Sequence, residues 1–251
     1  ALSLVGSEMC IRDRLRDVPY YGLMEANING ADCVISQTGF TGEKGYEIYV
    51  RDTHENAEKV WNKVLEDGEE FGLMVIAPAH HRRIAAGILS WGQDLDHETS
   101  PFQVNLAYQV PRNKKSDYIG KAELERQRNV IDSGEAPFKM KMVGITLGGK
   151  EITDYAPDFW LVADTDGNDM GYVTSPWWSP ELETNIALAW VPWSSSKLGT
   201  KLLVKLPDEY SVTPGEPVEG EVVDVPFRES VNPNKREVEA CLLYKSPSPR
   251  D

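Results

Sequence analysis

The sequence predicts an α+β fold in two parts, a sheet with helices against one face followed by a small β-barrel. The first half reads strand, strand, helix, strand, helix, which is typical of an α+β layer. Residues 132–137, rich in Gly, Pro and acidic side chains, then indicate a linker. Beyond them, short strands recur at regular spacing without a helix between them, as in a barrel or sandwich.

The first part is predicted to have strands at 33–38, 45–50 and 73–77, and helices at 53–69, 80–89 and 120–130. Asp52 and Thr53 suit the N-terminal cap of the first helix. The apolar residues of that helix recur at helical spacing and are Ala57, Val60, Trp61, Val64 and Leu65. Pro78 suits the first turn of the second helix, because a proline there loses no helical hydrogen bond.

The second part is predicted to have strands at 138–147, 159–163, 170–174, 185–191, 201–206 and 220–225. The first of these alternates apolar and polar residues in its first half, as a half-buried strand does. Asp164-Thr-Asp-Gly-Asn-Asp169 indicates a hairpin between the second and third strands.

Composition limits the class of protein. The 251-residue chain has a formal net charge of -14, which argues against a nucleic-acid-binding surface, because such a surface needs clustered basic residues. No apolar run is long enough to cross a bilayer and no signal-peptide pattern is present, so we expect no membrane partner and a cytoplasmic location. One cysteine in a predicted strand, Cys33, indicates neither a disulfide framework nor a metal site.

The two ends do not fit their neighbours. Residues 3–14 and 241–251 resemble translated sequencing-adaptor sequence, and they contain the other two cysteines. We therefore expect 1–14 and 241–251 to be artefacts of read assembly. The predicted domains are then 15–131 and 138–240.

The loop between the first two predicted strands has glycine at every third position, Gly39, Gly42 and Gly45. This spacing suits a tight connection in which the backbone passes close to a ligand or to other backbone. The spacing does not match a phosphate-binding or dinucleotide-binding loop.

Glu47 lies between Tyr46 and Ile48 in the second predicted strand. Neighbouring strand residues point to opposite faces, so Glu47 is predicted to face away from a core that contains Tyr46 and Ile48. We expect this carboxylate to face inward, where it needs matched donors. A heterocycle with an amino group beside a ring N–H supplies two in parallel.

The segment from Thr38 to Glu47 resembles the TGYTGE-x-GFE signature of the aminomethyltransferase (glycine-cleavage T-protein) family. Three further segments, Asp117–Leu124, Gly171–Ser175 and Ser179–Ala189, resemble later motifs of the same family in the same order. The resemblance implies tetrahydrofolate as cofactor, one-carbon transfer, and Glu47 as the residue that grips the pterin. It also implies part of the family's folate-binding α+β domain followed by its C-terminal barrel.

The resemblance implies further site residues. Phe40, Tyr46 and Trp91 are predicted to contact the folate, with Phe40 and Trp91 as walls. For Trp177 and Trp178 two interpretations stay open, barrel packing or an aromatic face towards a cationic donor. The family's catalytic aspartate lies upstream of the Thr38–Glu47 motif, so we expect this chain to be an inactive fragment without a catalytic residue of its own.

The methyl or aminomethyl donor is predicted from departures from the family pattern. Ala79 replaces an arginine that contacts the folate tail, and Ala85 replaces an acid. Ala79 at this position resembles the pattern of the dimethylsulfoniopropionate demethylases. Methyl transfer to tetrahydrofolate is therefore the predicted function. The alternatives are the aminomethyl transfer of glycine cleavage, an aromatic O-demethylase, an oxidase module, and a non-catalytic folate-binding protein of the same fold. Adjacent helical histidines, His80 and His81, point about 100° apart and do not predict a metal site.

Overall fold

The computed structural model describes residues 15, 17–112, 114–156 and 158–228. The chain folds into two compact units, with the boundary between Ala79 and His80. The predicted limits 15–131 and 138–240 do not coincide with this boundary and stay a prediction. The predicted artefact segments 1–14 and 241–251 lie outside the described residues.

The N-terminal unit contains a three-stranded antiparallel sheet in the order β1 (Leu23–Ile28), β2 (Ala31–Ser36) and β3 (Glu47–Val50). β2 and β3 correspond to the two predicted strands. β1 was not predicted from the sequence, although a two-residue Asn-Gly turn joins it to β2. Asn29 and Gly30 both have positive φ, 50° and 82°, which matches the twist of a tight hairpin.

The helix α1 (Thr53–Gly68) packs on one face of this sheet, close to its predicted bounds. Val60 is buried against the strand residues, and Val64 packs partly buried beside it. Ala57 and Trp61 are exposed, so the buried stripe is narrower than predicted. Asp52 makes no side-chain capping bond; instead the Thr53 hydroxyl donates to the Val50 carbonyl at 2.9 Å.

The prediction of a strand at 73–77 is wrong. After a 3-10 turn at Glu69–Phe71, the segment 73–79 has no regular structure, and Met74 and Ile76 are 78% and 67% exposed. A strand needs a neighbour for its backbone hydrogen bonds, and no strand in the described part of this unit pairs with the segment.

The C-terminal unit begins with two helices, α2 (His80–Ala85) and α3 (Lys121–Asp132). α2 is shorter than the predicted 80–89, because Gly87 terminates it at φ 70°. The Gly87 N–H donates to the Ile84 carbonyl and the Ile88 N–H donates to the Arg83 carbonyl. These two hydrogen bonds form a Schellman motif. None of the helices among the described residues is long and apolar enough to span a membrane.

The predicted barrel is confirmed as a closed barrel of six strands, in the order β4-β7-β6-β5-β8-β9. Its strands are β4 (Met140–Leu147), β5 (Trp160–Ala163), β6 (Asp169–Ser179), β7 (Thr184–Pro192), β8 (Lys201–Val204) and β9 (Val218–Val223). The predicted hairpin joins β5 to β6, with Gly167 at φ 87° and the Asp164 carboxylate accepting the Asn168 N–H at 2.9 Å.

Strand β7 explains how the barrel and α2 form one unit. Seven consecutive residues of β7 are buried, because both of its faces are covered. Ala187 and Ala189 point into the barrel core, whereas Ile186 and Leu188 pack outside it with Ile84 of α2. These contacts fix α2 on the outer surface of the barrel. The position of α2 in turn determines where the loop that follows it begins.

Candidate functional site

Glu47 begins β3 on the outer face of the three-stranded sheet. It is paired with Ser36 of β2, while Tyr46 and Ile48 pack with the core on the opposite face. The predicted alternation of faces is confirmed. The expectation of an inward-facing, enclosed carboxylate is wrong, because Glu47 is exposed on a face that the described part of this unit leaves uncovered.

Two hydroxyl groups hold the Glu47 carboxylate. Oε2 accepts hydrogen bonds from the Thr38 hydroxyl and from the Tyr49 hydroxyl, the latter at 3.1 Å. The hydrogen bond to Glu47 and its negative charge raise the pKa of Tyr49 above its usual value. Glu47 is therefore an oriented acceptor at the surface of the sheet.

The aromatic neighbour of Glu47 is Tyr49 and not the predicted Tyr46. The Tyr46 hydroxyl donates to the Leu15 carbonyl at 2.9 Å, on the core side of the strand. A residue next to Glu47 in a strand faces away from it, whereas the residue two positions on shares its face. Tyr46 thus cannot line the same surface as Glu47. The period-two pattern alone could have identified Tyr49.

The glycine loop needs glycine at one of its three positions. Gly42 has a positive φ of 73°, which strains other residue types. A Cβ at Gly39 would meet open space, and at Gly45 it would meet only an ordinary contact with the Thr38 carbonyl. A close approach of the backbone to other protein atoms therefore does not explain the glycines at positions 39 and 45. Phe40 is half exposed on this loop.

The remaining predicted site residues lie in the C-terminal unit. Trp91 is 68% exposed on a loop that the hydrogen bond from Gly92 N–H to the Leu95 carbonyl closes at 2.8 Å. Trp177 and Trp178 are half buried at the end of β6. Since Trp91 and Glu47 belong to different units, the role of Trp91 as a folate wall stays a prediction.

Trp177 belongs to a cluster of three rings. Its indole stacks on the imidazole of His80, with centroids 5.4 Å apart and planes 24° apart, and Tyr155 meets both rings edge-on. Trp177 also packs with the outer apolar cluster of the barrel. Trp177 therefore makes the contacts expected of barrel packing. The cluster also leaves partly exposed aromatic surface, which an aromatic face towards a cationic donor would require.

A buried ion pair, which was not predicted from the sequence, lies in the C-terminal unit. Arg83 Nη1 lies 2.8 Å from Asp94 Oδ2, and both side chains are almost completely buried. Arg83 also donates to Ser175 at 2.8 Å, and Asp94 Oδ1 accepts from the hydroxyls of Thr174 and Ser175 at 2.6 and 2.5 Å. The network fastens the loop that carries Trp91 to strand β6.

His80 completes this network. Its Nδ1 accepts a hydrogen bond from Arg83 Nε at 3.2 Å. Burial and the nearby Arg83 charge lower the pKa of His80, although Asp94 opposes the shift. The neutral imidazole, with its proton on Nε2, is therefore favoured. Among the described residues, no three potential metal ligands cluster in a way that would hold an ion.

Comparison with known proteins assigns the family. Residues 7–114 match the family described as the GCVT N-terminal domain, and residues 141–227 match the glycine cleavage T-protein C-terminal barrel domain. The chain belongs to the glycine-cleavage T-protein family. The family resemblance of the sequence motifs is thus confirmed. The first match begins at residue 7, inside the segment 1–14 that is predicted to be an artefact of read assembly.

Two similar proteins are aminomethyltransferases. The chain is 30% identical to the aminomethyltransferase of Bacillus subtilis over 211 residues, 83% of this chain and 53% of that protein. It is 33% identical to the aminomethyltransferase of Thermotoga maritima over 222 residues, 86% of this chain and 54% of that protein. The chain therefore spans about half the length of the curated relatives that it matches.

A solved structure supports the fold. The chain resembles the glycine cleavage system aminomethyltransferase T of Bartonella henselae with a TM-score of 0.66 and 23% identity, over 85% of this chain and 54% of that one. The predicted fold class, an α+β part and a family barrel, is confirmed. The similarity to the proteins named above gives no specific support for a dimethylsulfoniopropionate demethylase over an aminomethyltransferase.

Proposed function

We propose that the chain is part of a tetrahydrofolate-dependent one-carbon transferase in which Glu47 binds the pterin. One observation carries this proposal: the motif glutamate stands on the outer sheet face, with its carboxylate oriented by Thr38 and Tyr49. The family membership supports folate as the ligand.

The chemistry of Glu47 fits a reduced pterin. The 2-amino group and the adjacent ring N–H of a pterin donate two parallel hydrogen bonds, and a carboxylate can accept both. Bonds to a charged acceptor contribute about 1.5–3 kcal/mol each when they are shielded from water. The rings of Phe40 and Tyr49, both half exposed, offer apolar surface to a flat ligand.

The protein's contribution to the reaction is alignment. A one-carbon unit passes from its donor to a nitrogen of the bound pterin, and that nitrogen supplies the attacking electron pair. Fixing the two reactants in an attack geometry can lower the barrier by about 7–11 kcal/mol. Glu47 does this by fixing the pterin. Turnover belongs to the whole protein, and the catalytic aspartate remains predicted for a region upstream of the Thr38–Glu47 motif.

The relatives favour an aminomethyl donor. Those compared above are aminomethyltransferases, so aminomethyl transfer has more support than the methyl transfer that the sequence departures predict. In this function the donor is an aminomethyl group on a carrier. The pterin nitrogen attacks its methylene carbon, the carrier leaves with the electron pair of its bond to that carbon, and closure by a second folate nitrogen releases ammonia and gives methylene-tetrahydrofolate.

Methyl transfer from a sulfonium donor is the second candidate. Ala79, where the family pattern has an arginine, and the partly exposed rings of Trp177 and Tyr155 favour it. A desolvated cation over an aromatic face gains about 2 kcal/mol. Quenched-flow assays of the whole protein with each donor distinguish the two candidates, because the product is methylene-tetrahydrofolate with an aminomethyl donor and methyl-tetrahydrofolate with a sulfonium donor.

Folate binding tests the proposal in the chain itself. Tetrahydrofolate is titrated anaerobically up to millimolar concentration, with heat as the signal, against wild type, Glu47→Gln and Glu25→Gln. Glu25 is a matched control, because it is exposed in β1 of the same sheet and pairs with Arg51 at 3.1 Å. We expect Glu47→Gln to weaken binding by about tenfold or more and Glu25→Gln to leave it unchanged. Equal dissociation constants for all three proteins would contradict the proposal.

A further inference from the structure

Tyr49 stands on the same strand face as Glu47 and contacts it directly. The two residues are two positions apart in β3, and the Tyr49 hydroxyl lies 3.1 Å from Glu47 Oε2. The phenol ring itself is 56% exposed. Tyr49 therefore packs little against the core of the unit, and its polar contact is directed at the motif glutamate.

The hydrogen bonds to Glu47 are unequally divided between its two oxygens. Oε2 accepts from both Thr38 and Tyr49. No hydrogen bond from the described residues reaches Oε1. The carboxylate is thus anchored through Oε2, and a ligand with two parallel donors would use Oε1 and share Oε2 with these hydroxyls. The two bonds at Oε2 restrict rotation of the group, whose orientation a bidentate ligand must match.

Thr38 alone does not secure this orientation. Its hydroxyl lies 3.2 Å from the Ser36 hydroxyl as well as next to Glu47, and it has a single proton. Ser36 donates its own proton to the Gly22 carbonyl at 3.3 Å. Thr38 thus has a second acceptor within reach besides Glu47, whereas the Tyr49 hydroxyl donates to Glu47.

We propose that Tyr49 is a positioning residue that orients the Glu47 carboxylate for the aminopyrimidinone edge of the pterin. The proposal rests on the proposed function, because it assumes that Glu47 binds the ligand. Tyr49 acts through Glu47: its hydroxyl holds Oε2 in place so that the ligand meets an acceptor that is already aligned. The entropy of aligning the side chain is then lost in folding and not in binding.

A double-mutant cycle on tetrahydrofolate binding tests the proposal. The proteins are wild type, Tyr49→Phe, Glu47→Gln, the double variant, and Tyr108→Phe as an exposed control on another part of the chain. We expect Tyr49→Phe to weaken binding by about three- to tenfold in the wild-type background. In the Glu47→Gln background it should have no further effect, and Tyr108→Phe should have none in either. Thermal unfolding of each protein verifies that it is folded.

The outcomes separate this inference from the proposed function. If Glu47→Gln weakens binding and Tyr49→Phe does not, the positioning role is wrong and the proposed function stands. If Tyr49→Phe weakens binding equally in both backgrounds, Tyr49 contacts the ligand by itself, which also overturns the positioning role. If Glu47→Gln has no effect, the proposed function fails and the inference fails with it.

A second readout needs no ligand. The wild-type minus Tyr49→Phe difference in tyrosinate absorbance reports the ionisation of Tyr49 alone. With Glu47 as the acceptor of its proton, the Tyr49 transition should move to lower pH in the Glu47→Gln background. An unmoved transition would show that the two side chains do not interact in solution, and it would overturn the inference.

Discussion

Arg83 on α2 and Asp94 on the following loop form a buried ion pair, with Nη1 and Oδ2 2.8 Å apart. The pair is enclosed by further donors and acceptors, including the Ser90 N–H to Asp94 Oδ2 at 2.7 Å and the Arg83 bond to the Ile88 carbonyl at 3.1 Å. Both charges are fully compensated, so the pair is a fixed joint between α2, the loop and β6.

Replacing Asp94 with Asn should strongly destabilise the C-terminal unit. The substitution leaves the Arg83 charge buried without a counter-ion, which costs about 3–5 kcal/mol. Urea unfolding followed by tryptophan fluorescence measures the loss. Asp132→Asn is the control, because the Arg112–Asp132 pair is exposed and should contribute less than about 1 kcal/mol. Similar losses for both variants would contradict the role assigned to the buried pair.

Acid should weaken the joint through His80. Burial and Arg83 lower the pKa of this imidazole, and Asp94 is the charged neighbour that opposes the shift. As pH falls, His80 therefore binds a proton at a higher pH in the unfolded chain than in the folded chain. The contribution of His80 to stability is complete above about pH 6.5, its unfolded pKa, and is lost as pH falls through the lower folded pKa.

The pH dependence of unfolding measures this effect. Between pH 7.5 and 5, the free energy of unfolding of wild type should fall more steeply than that of His80→Gln, which lacks the titrating group. Carboxylates titrate at lower pH and are common to both proteins. Parallel curves for the two proteins would show that His80 is not held in its neutral form.

Asn185 should be a determinant of barrel stability. Its buried amide accepts the Ile152 N–H at 3.1 Å and donates to the carbonyls of Gly148 and Lys150 at 3.3 and 2.9 Å. Asn185→Ala leaves these backbone groups unsatisfied, so we expect a loss of about 1–3 kcal/mol. Thermal unfolding provides the value, with the exposed Asn62→Ala as control. A loss within the error of that control would refute the role.

The apolar segment after α1 should tolerate polar residues. Met74 and Ile76 are largely exposed, so the double substitution Met74→Ser and Ile76→Ser should change the free energy of unfolding by less than about 0.5 kcal/mol per site. Binding of the dye ANS should decrease, since exposed apolar surface binds it. The control Ile84→Ser, at a fully buried position, should lose about 2 kcal/mol or more. A large loss from the double substitution would mean that the segment is buried in solution.

The barrel could be predicted from the sequence because its signals are local. Alternation in β4 and the turn at Asp164–Asp169 specify strands and a hairpin without reference to distant residues. β1 was missed although residues 24–28 alternate between apolar and polar and the Asn29–Gly30 turn follows them directly. The segment 73–77 has the composition of a strand, but composition does not supply a pairing partner.

The site could be predicted only in part. The two-residue period placed Glu47 on the face opposite Tyr46 and Ile48, but the predicted enclosure of its carboxylate was wrong, and its neighbour Tyr49 was passed over for the adjacent Tyr46. The network around Arg83 joins residues as far apart as 92 positions, as in its bond to Ser175. Spacing along the chain carries no information about such a contact, which depends on the tertiary fold.

Binding of a pterin without its folate tail tests most directly whether Glu47 recognises the ring. Tetrahydropterin and p-aminobenzoylglutamate are titrated separately into wild type and Glu47→Gln. Glu47→Gln should weaken binding of the pterin by about tenfold, as for whole tetrahydrofolate, and leave binding of the tail fragment unchanged. Equal pterin affinity of the two proteins would contradict the assignment of Glu47 as the pterin anchor.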